Sequence, residues 1–145
     1  MNSVALAVYA ASWVVLFLKF FLTALLQART RMRTRVFRYA EDAAFWHGRV
    51  GEETEPSTRA QQLLRNDGEV QTYYLALGGA YLALGAWPAG APYYFGAFVL
   101  SRLAHAYCML RPQQPLRNRA YVVGLGILLA LASHVVFEAA RLIVG

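Results

Sequence analysis

The chain has 145 residues, 58% of them hydrophobic and 15% charged, with a formal net charge of +6 at pH 7. The charged share lies well below the roughly 25% of a typical soluble domain, and the mean hydropathy is +0.35. These values exclude a disordered chain, a multidomain enzyme and a water-clothed globule, and leave a small polytopic membrane protein.

A bilayer core about 30 Å thick needs roughly 20 apolar residues at about 1.5 Å rise each. The first span is expected over about residues 4–26, interrupted only by Lys19, which is expected to snorkel toward the interface. It has no basic leader and its apolar stretch is too long for a cleavable signal peptide. A cytoplasmic loop follows over about residues 28–69. Its start, ARTRMRTRVFRYAEDAAFWHGRV, has no turn signal and is expected to prolong the first helix beyond the bilayer. The acidic, Pro-bearing stretch GEETEPSTR reads as an exposed loop. Ser57 and Thr58 are placed as caps of a helix that starts near Arg59 and runs into the second span, about residues 70–87. The uncharged link Pro88-Ala89-Gly90 leads to the third span, about 91–110, and the fourth covers about 121–144. Residues 28–69 and the turn holding Arg111, Arg117 and Arg119 are rich in Arg, so both joints are expected in the cytoplasm and both termini on the opposite side. The expectation is an all-α fold: one domain, 1–145, forming a transmembrane four-helix bundle of up-down topology.

Lys19 is the sole lysine among 14 basic residues. Arg dominates where carboxylates or phosphates are recognised by planar, bidentate contacts. Its concentration at membrane joints argues against nucleic acid as a partner. A single cysteine, Cys108, excludes an intramolecular disulfide and any CxxC motif, and is expected to serve packing. Three scattered histidines give no zinc spacing, so no metal is expected.

Polar residues inside the spans are functional candidates, because a charge in lipid is costly. Arg102, His105 and Met109 fall on one face of the third span at i, i+3 and i+7. The plain structural alternative for Arg102 is a partner carboxylate that ties helices together. Arg65, Asn66 and Glu69 form a second group, for which an exposed i, i+4 ion pair is the plain alternative. Arg117, Asn118 and Tyr121 form a third at the mouth of the last span, where a positive-inside anchor beside an interfacial Tyr is the plain alternative. With Arg31 at the end of the first helix, all lie at one cytoplasmic level. Guanidiniums, a carboxylate, an amide, an imidazole and a phenol gathered there suit a small zwitterionic, net-acidic ligand. Glutathione fits, and so do other anionic metabolites.

At these residues the sequence resembles the MAPEG family of membrane proteins, above all its microsomal prostaglandin E synthase branch. The resemblance rests on Arg31 with Glu41-Asp42-Ala43, RNDGE (Arg65 to Glu69), RLAH (Arg102 to His105), PLRNRAY (Pro115 to Tyr121) and FEAAR (Phe137 to Arg141), in the family's order and nearly its spacing. It implies a homotrimer with glutathione bound in clefts between subunits that open to the cytoplasm. Arg31, Arg65, Asn66, Glu69, Arg102, His105, Arg117, Asn118 and Tyr121 would then form the glutathione site. Arg117 would stabilise the thiolate, Arg31 would assist electrostatically, and Asp42 would orient Arg117. A lipophilic substrate would arrive laterally from the membrane lipid.

Three positions depart from the family pattern: Gln62 and Met109 replace a common Arg and Tyr, and Asn118 replaces a Ser. An amide cannot relay a proton as a hydroxyl does, so Asn118 argues against prostaglandin isomerase chemistry. The leading expectation is therefore a glutathione transferase, with peroxidase activity on lipid hydroperoxides as an extension. Alternatives are a prostaglandin E synthase-type isomerase and a non-catalytic lipid-binding scaffold. The membrane would be a bacterial inner membrane or the endoplasmic reticulum, and the short chain suggests a bacterial-type member.

Overall fold

The computed structural model describes residues 2–144. Helix α1 spans Ser3–Thr34, opened by Asn2, whose side chain accepts from the amides of Val4 and Ala5. At 32 residues it is about 48 Å long, well beyond a bilayer core. It does outrun the predicted span, but it stops where no turn residue announces an end. Arg35 adopts a left-handed conformation (φ 53°), and its amide closes the helix on the Arg31 carbonyl at 2.9 Å.

A small collar follows in place of the expected helical extension. Strand β1 (Val36–Phe37) pairs in parallel with β2 (Arg49–Val50), and the short helix α2 (Ala40–Phe45) joins them. The break has an apolar cause: Val36 and Phe37 are buried in the collar. Helix α3 runs over Glu55–Ala83, so it starts ahead of the expected Arg59, with Pro56 in its first turn, a favoured place for proline. Ser57 is buried and bonds to the Glu53 carboxylate at 2.5 Å, so it braces the collar instead of capping the helix. After Gly85 (φ 66°) and a 3-10 turn at Pro88–Gly90 come α4 (Ala91–Leu110) and α5 (Gln114–Val144).

The four long helices form one bundle. Helix α1 packs on α3 and α4, and α5 packs on α4 and α3. Two of them, α1 and α5, are long and apolar enough to cross a membrane by length and composition alone. Of the other two, α3 carries its charges in the first half, and α4 is apolar apart from Arg102 and His105. Large apolar side chains such as Phe17, Leu22, Val122, Leu129 and Ile143 point out of the bundle, an inside-out surface that lipid suits and water does not.

The upper core is aromatic. Tyr74 stacks on Phe98 with ring centroids 4.2 Å apart, and Tyr9, Tyr81 and Phe95 pack around them. The Tyr74 hydroxyl meets the Ser12 hydroxyl at 2.5 Å, and the Tyr9 hydroxyl donates to the Leu75 carbonyl. Gly78 lets α1 and α3 approach: a Cβ there would stand 2.5 Å from Tyr9 Cε2. Tyr9 is held by its hydrogen bond and two ring contacts, so it cannot simply swing aside. We expect Gly78→Ala to cost about 1–3 kcal/mol through overpacking, read as a lowered unfolding midpoint in detergent. A neutral Gly78→Ala would mean the helices slide apart freely.

Candidate functional site

Helical periodicity brings polar side chains from three helices to one level. Along α3 the buried positions include Ala60, Leu63, Asp67, Val70, Tyr74, Gly78 and Tyr81, spaced three and four apart. Along α1 they include Ser12, Leu16, Lys19 and Thr23. These two stripes face each other and α4, so Lys19 and Asp67 meet inside the bundle. Lys19 Nζ lies 2.5 Å from Asp67 Oδ1, with side chains 7% and 0% exposed. Lys19 therefore does not snorkel: its ammonium turns into the bundle, where the Asp67 carboxylate meets it.

Arg102 of α4 joins the same oxygen, its Nη2 lying 3.0 Å from Asp67 Oδ1 with no exposed surface on either side chain. The same nitrogen donates to Asn66 Oδ1 at 2.5 Å and lies 3.4 Å from His105 Nδ1. Two cations thus share one carboxylate, leaving an excess of positive charge under Asn66 and His105. Among the described residues, Arg102 Nε and Nη1 have no hydrogen-bond partner, nor has Asp67 Oδ2.

From His105 the cluster extends to α5. Its ring lies 5.8 Å from that of Tyr121. Arg117, half-buried one turn earlier, donates to Met109 Sδ at 3.4 Å and makes no ion pair among the described residues. A thioether is a weak acceptor, so this guanidinium keeps its capacity for an anion. Arg59 of α3 reaches across to the Met109 carbonyl at 3.4 Å and secures the last turn of α4.

The expected residues therefore divide. Asn66, Arg102, His105 and Tyr121 form one connected group within the chain, and Arg117, one turn before Tyr121 on α5, is held to Met109. Arg65 and Glu69 lie on the outer face of α3, 84% and 60% exposed along their side chains, and pair with each other at 3.3 Å. Asn118 is also exposed. Arg31 pairs with Glu53 at 2.5 Å, and the structure does not bring it to Arg117. Nor does it bring Asp42 there: that residue lies on α2 in the collar, and Arg117 faces Met109 instead. Lys19 and Asp67, by contrast, were absent from the expected set. Cys108 is buried against Gln113 at 3.9 Å, as packing requires.

Glu53 ties the collar to α1 and α3. Burial raises the cost of its charge, but hydrogen bonds from Arg31 and Ser57, with the nearby charges of Arg31 and Arg38, outweigh it and hold the carboxyl below its ordinary value of 4.5. A lowered folded-state value means that the stabilisation is complete above 4.5 and fades as pH falls through the folded-state value. We expect wild type to lose thermal stability more steeply than Glu53→Gln on acidification below pH 4.5. Parallel curves would remove Glu53 from the account of acid sensitivity.

A family model, MAPEG family, matches residues 9–137. The chain is 29% identical over 143 residues to prostaglandin E synthase of Homo sapiens, covering 97% of this chain and 94% of that protein. It is 30% identical to the Bos taurus prostaglandin E synthase with the same coverage. To that of Equus caballus it is 32% identical over 142 residues, covering 94% and 91%.

Proposed function

Because the chain belongs to the MAPEG family of membrane proteins, we propose that it is a glutathione-dependent integral membrane enzyme that conjugates lipophilic electrophiles or reduces lipid hydroperoxides. The observation that carries this reading is the half-buried Arg117 guanidinium, satisfied only by a thioether, beside the connected donors Asn66, His105 and Tyr121. The donor set fits glutathione: the Arg117 guanidinium for an anion, and the Asn66 amide and His105 imidazole for peptide groups. Glu69, exposed on the outer face, is suited to an ammonium group presented by a ligand lying between subunits. In the homotrimer implied by the family resemblance, a neighbouring subunit would bring that face to the cleft.

When bound, glutathione supplies the thiol nucleophile. A free thiol has a pKa of about 8.5 and is mostly protonated at neutral pH. A guanidinium without a competing carboxylate favours the anion. Arg117 is the residue placed to do this. Its acceptor, arriving from the bilayer, meets apolar helix surface and needs no polar recognition.

A second reading, a prostaglandin E synthase-type isomerase, is favoured by the relatives' names. Asn118 speaks against it, since an exposed amide is a poor proton relay. Titration of the detergent-purified protein with glutathione, followed by thiolate absorbance near neutral pH, tests the proposal. Thiolate in wild type that vanishes in Arg117→Ala supports it. Binding without ionisation overturns the activation role, and no binding moves the reading to a lipid-binding scaffold.

A further inference from the structure

Asp67 and Arg102 lie too deep to meet a ligand, with no exposed side-chain surface, while Lys19, 7% exposed, borders an apolar groove between α1 and α4 and turns its ammonium inward to Asp67. Arg102 makes its side-chain contacts through one nitrogen, Nη2, which faces Asp67 Oδ1, Asn66 Oδ1 and His105 Nδ1. Arginine can only donate. The Asn66 carbonyl oxygen must therefore face Arg102, and its amide N–H groups turn outward. The contact to His105 Nδ1 is the longest of the three that share the two Nη2 hydrogens; since arginine can only donate, it favours an unprotonated Nδ1 with the imidazole proton on Nε2, the form expected here.

We propose that these three residues are a buried positioning triad: Lys19 and Asp67 fix the Arg102 guanidinium, and Arg102 sets Asn66 and His105 as donors toward an anionic ligand. The proposal rests on the glutathione reading above for the identity of that ligand. Asp67 Oδ1 accepts from both Lys19 on α1 and Arg102 on α4, so the carboxylate has one position, and the guanidinium it holds has one orientation. Arg102 then acts through Asn66 and His105, as a positioning residue, and not as a direct ligand contact.

The test combines kinetics with an imidazole readout. Glutathione KM and kcat are measured with chlorodinitrobenzene for wild type, Asp67→Asn and the charge-balanced double variant Lys19→Met/Asp67→Asn. Tautomer state comes from nitrogen NMR of isotope-labelled histidine in a His47→Gln/His134→Gln background, where His105 gives the one signal. In Asp67→Asn we expect KM to rise about tenfold or more, with kcat within roughly threefold of wild type. The His105 signal should shift from the Nε2–H form to a mixture. The double variant removes one cation with the carboxylate, so it should regain unfolding temperature while KM stays high. Recovery of KM together with unfolding temperature would reduce the triad to a structural role, and an unchanged His105 tautomer in Asp67→Asn would overturn the positioning. If wild type does not bind glutathione, the functional reading falls alone and the tautomer measurement still decides the triad.

Discussion

Arg117→Ala is expected to lower turnover about 10²–10³-fold while glutathione affinity changes no more than a few-fold. The expectation follows from where charge is held. Arg117 has no carboxylate partner to release, and its donation to Met109 Sδ is weak, so its guanidinium is available to a sulfur anion at little cost. Ligand carboxylate and peptide groups would be held by other residues, among them Asn66 and His105. Removing Arg117 should therefore act on the charged state of the thiol and spare the rest of the ligand. Steady-state kinetics beside calorimetric binding separates the two quantities. Equal losses in turnover and affinity would return Arg117 to a general binding contact.

Asp67→Ala is expected to destabilise the bundle by about 3–5 kcal/mol, because it leaves two buried cations without a counter-charge. Lys19 and Arg102 converge on the same oxygen from two helices, and neither can reach water as the helices stand. For contrast, Arg65→Ala breaks an exposed i, i+4 pair whose typical worth is about 0.3–0.5 kcal/mol. Unfolding of both variants in the same detergent measures the difference directly. An Asp67→Ala loss below about 1 kcal/mol would mean that water or lipid headgroups screen the cluster. Such an outcome would also weaken the case for a rigid Arg102.

Much of this fold was legible in the residues. Apolar runs located all four long helices, and Pro88-Ala89-Gly90 correctly marked the joint between α3 and α4. The stretch around Val36 and Phe37 was misread, since its Arg-rich flanks carry no breaker. What ended the helix was the burial of those two apolar side chains in the collar, a long-range event. Ser57 looked like a cap, but α3 starts ahead of it, and its hydroxyl bonds to the Glu53 carboxylate four residues earlier.

By itself the sequence determined the class of protein, an apolar all-α bundle of the MAPEG family, because hydropathy and helical period are local properties summed along the chain. It also determined which residue types gather around the polar part of the bundle, since motif order survives without coordinates. Tertiary structure alone decided which of them meet. Arg65 and Glu69 were grouped with Asn66 by nearness in sequence, yet a step of one residue on a helix turns a side chain by about 100°. That turn sends Arg65 outward, while Asp67 falls in line with Leu63, Val70 and Tyr74 on the inner face. The apolar stripe of α3 could have revealed Asp67, but its partner could not be read the same way. Lys19 lies 48 residues away along the chain, and only the packing of α1 against α3 brings the two charges together.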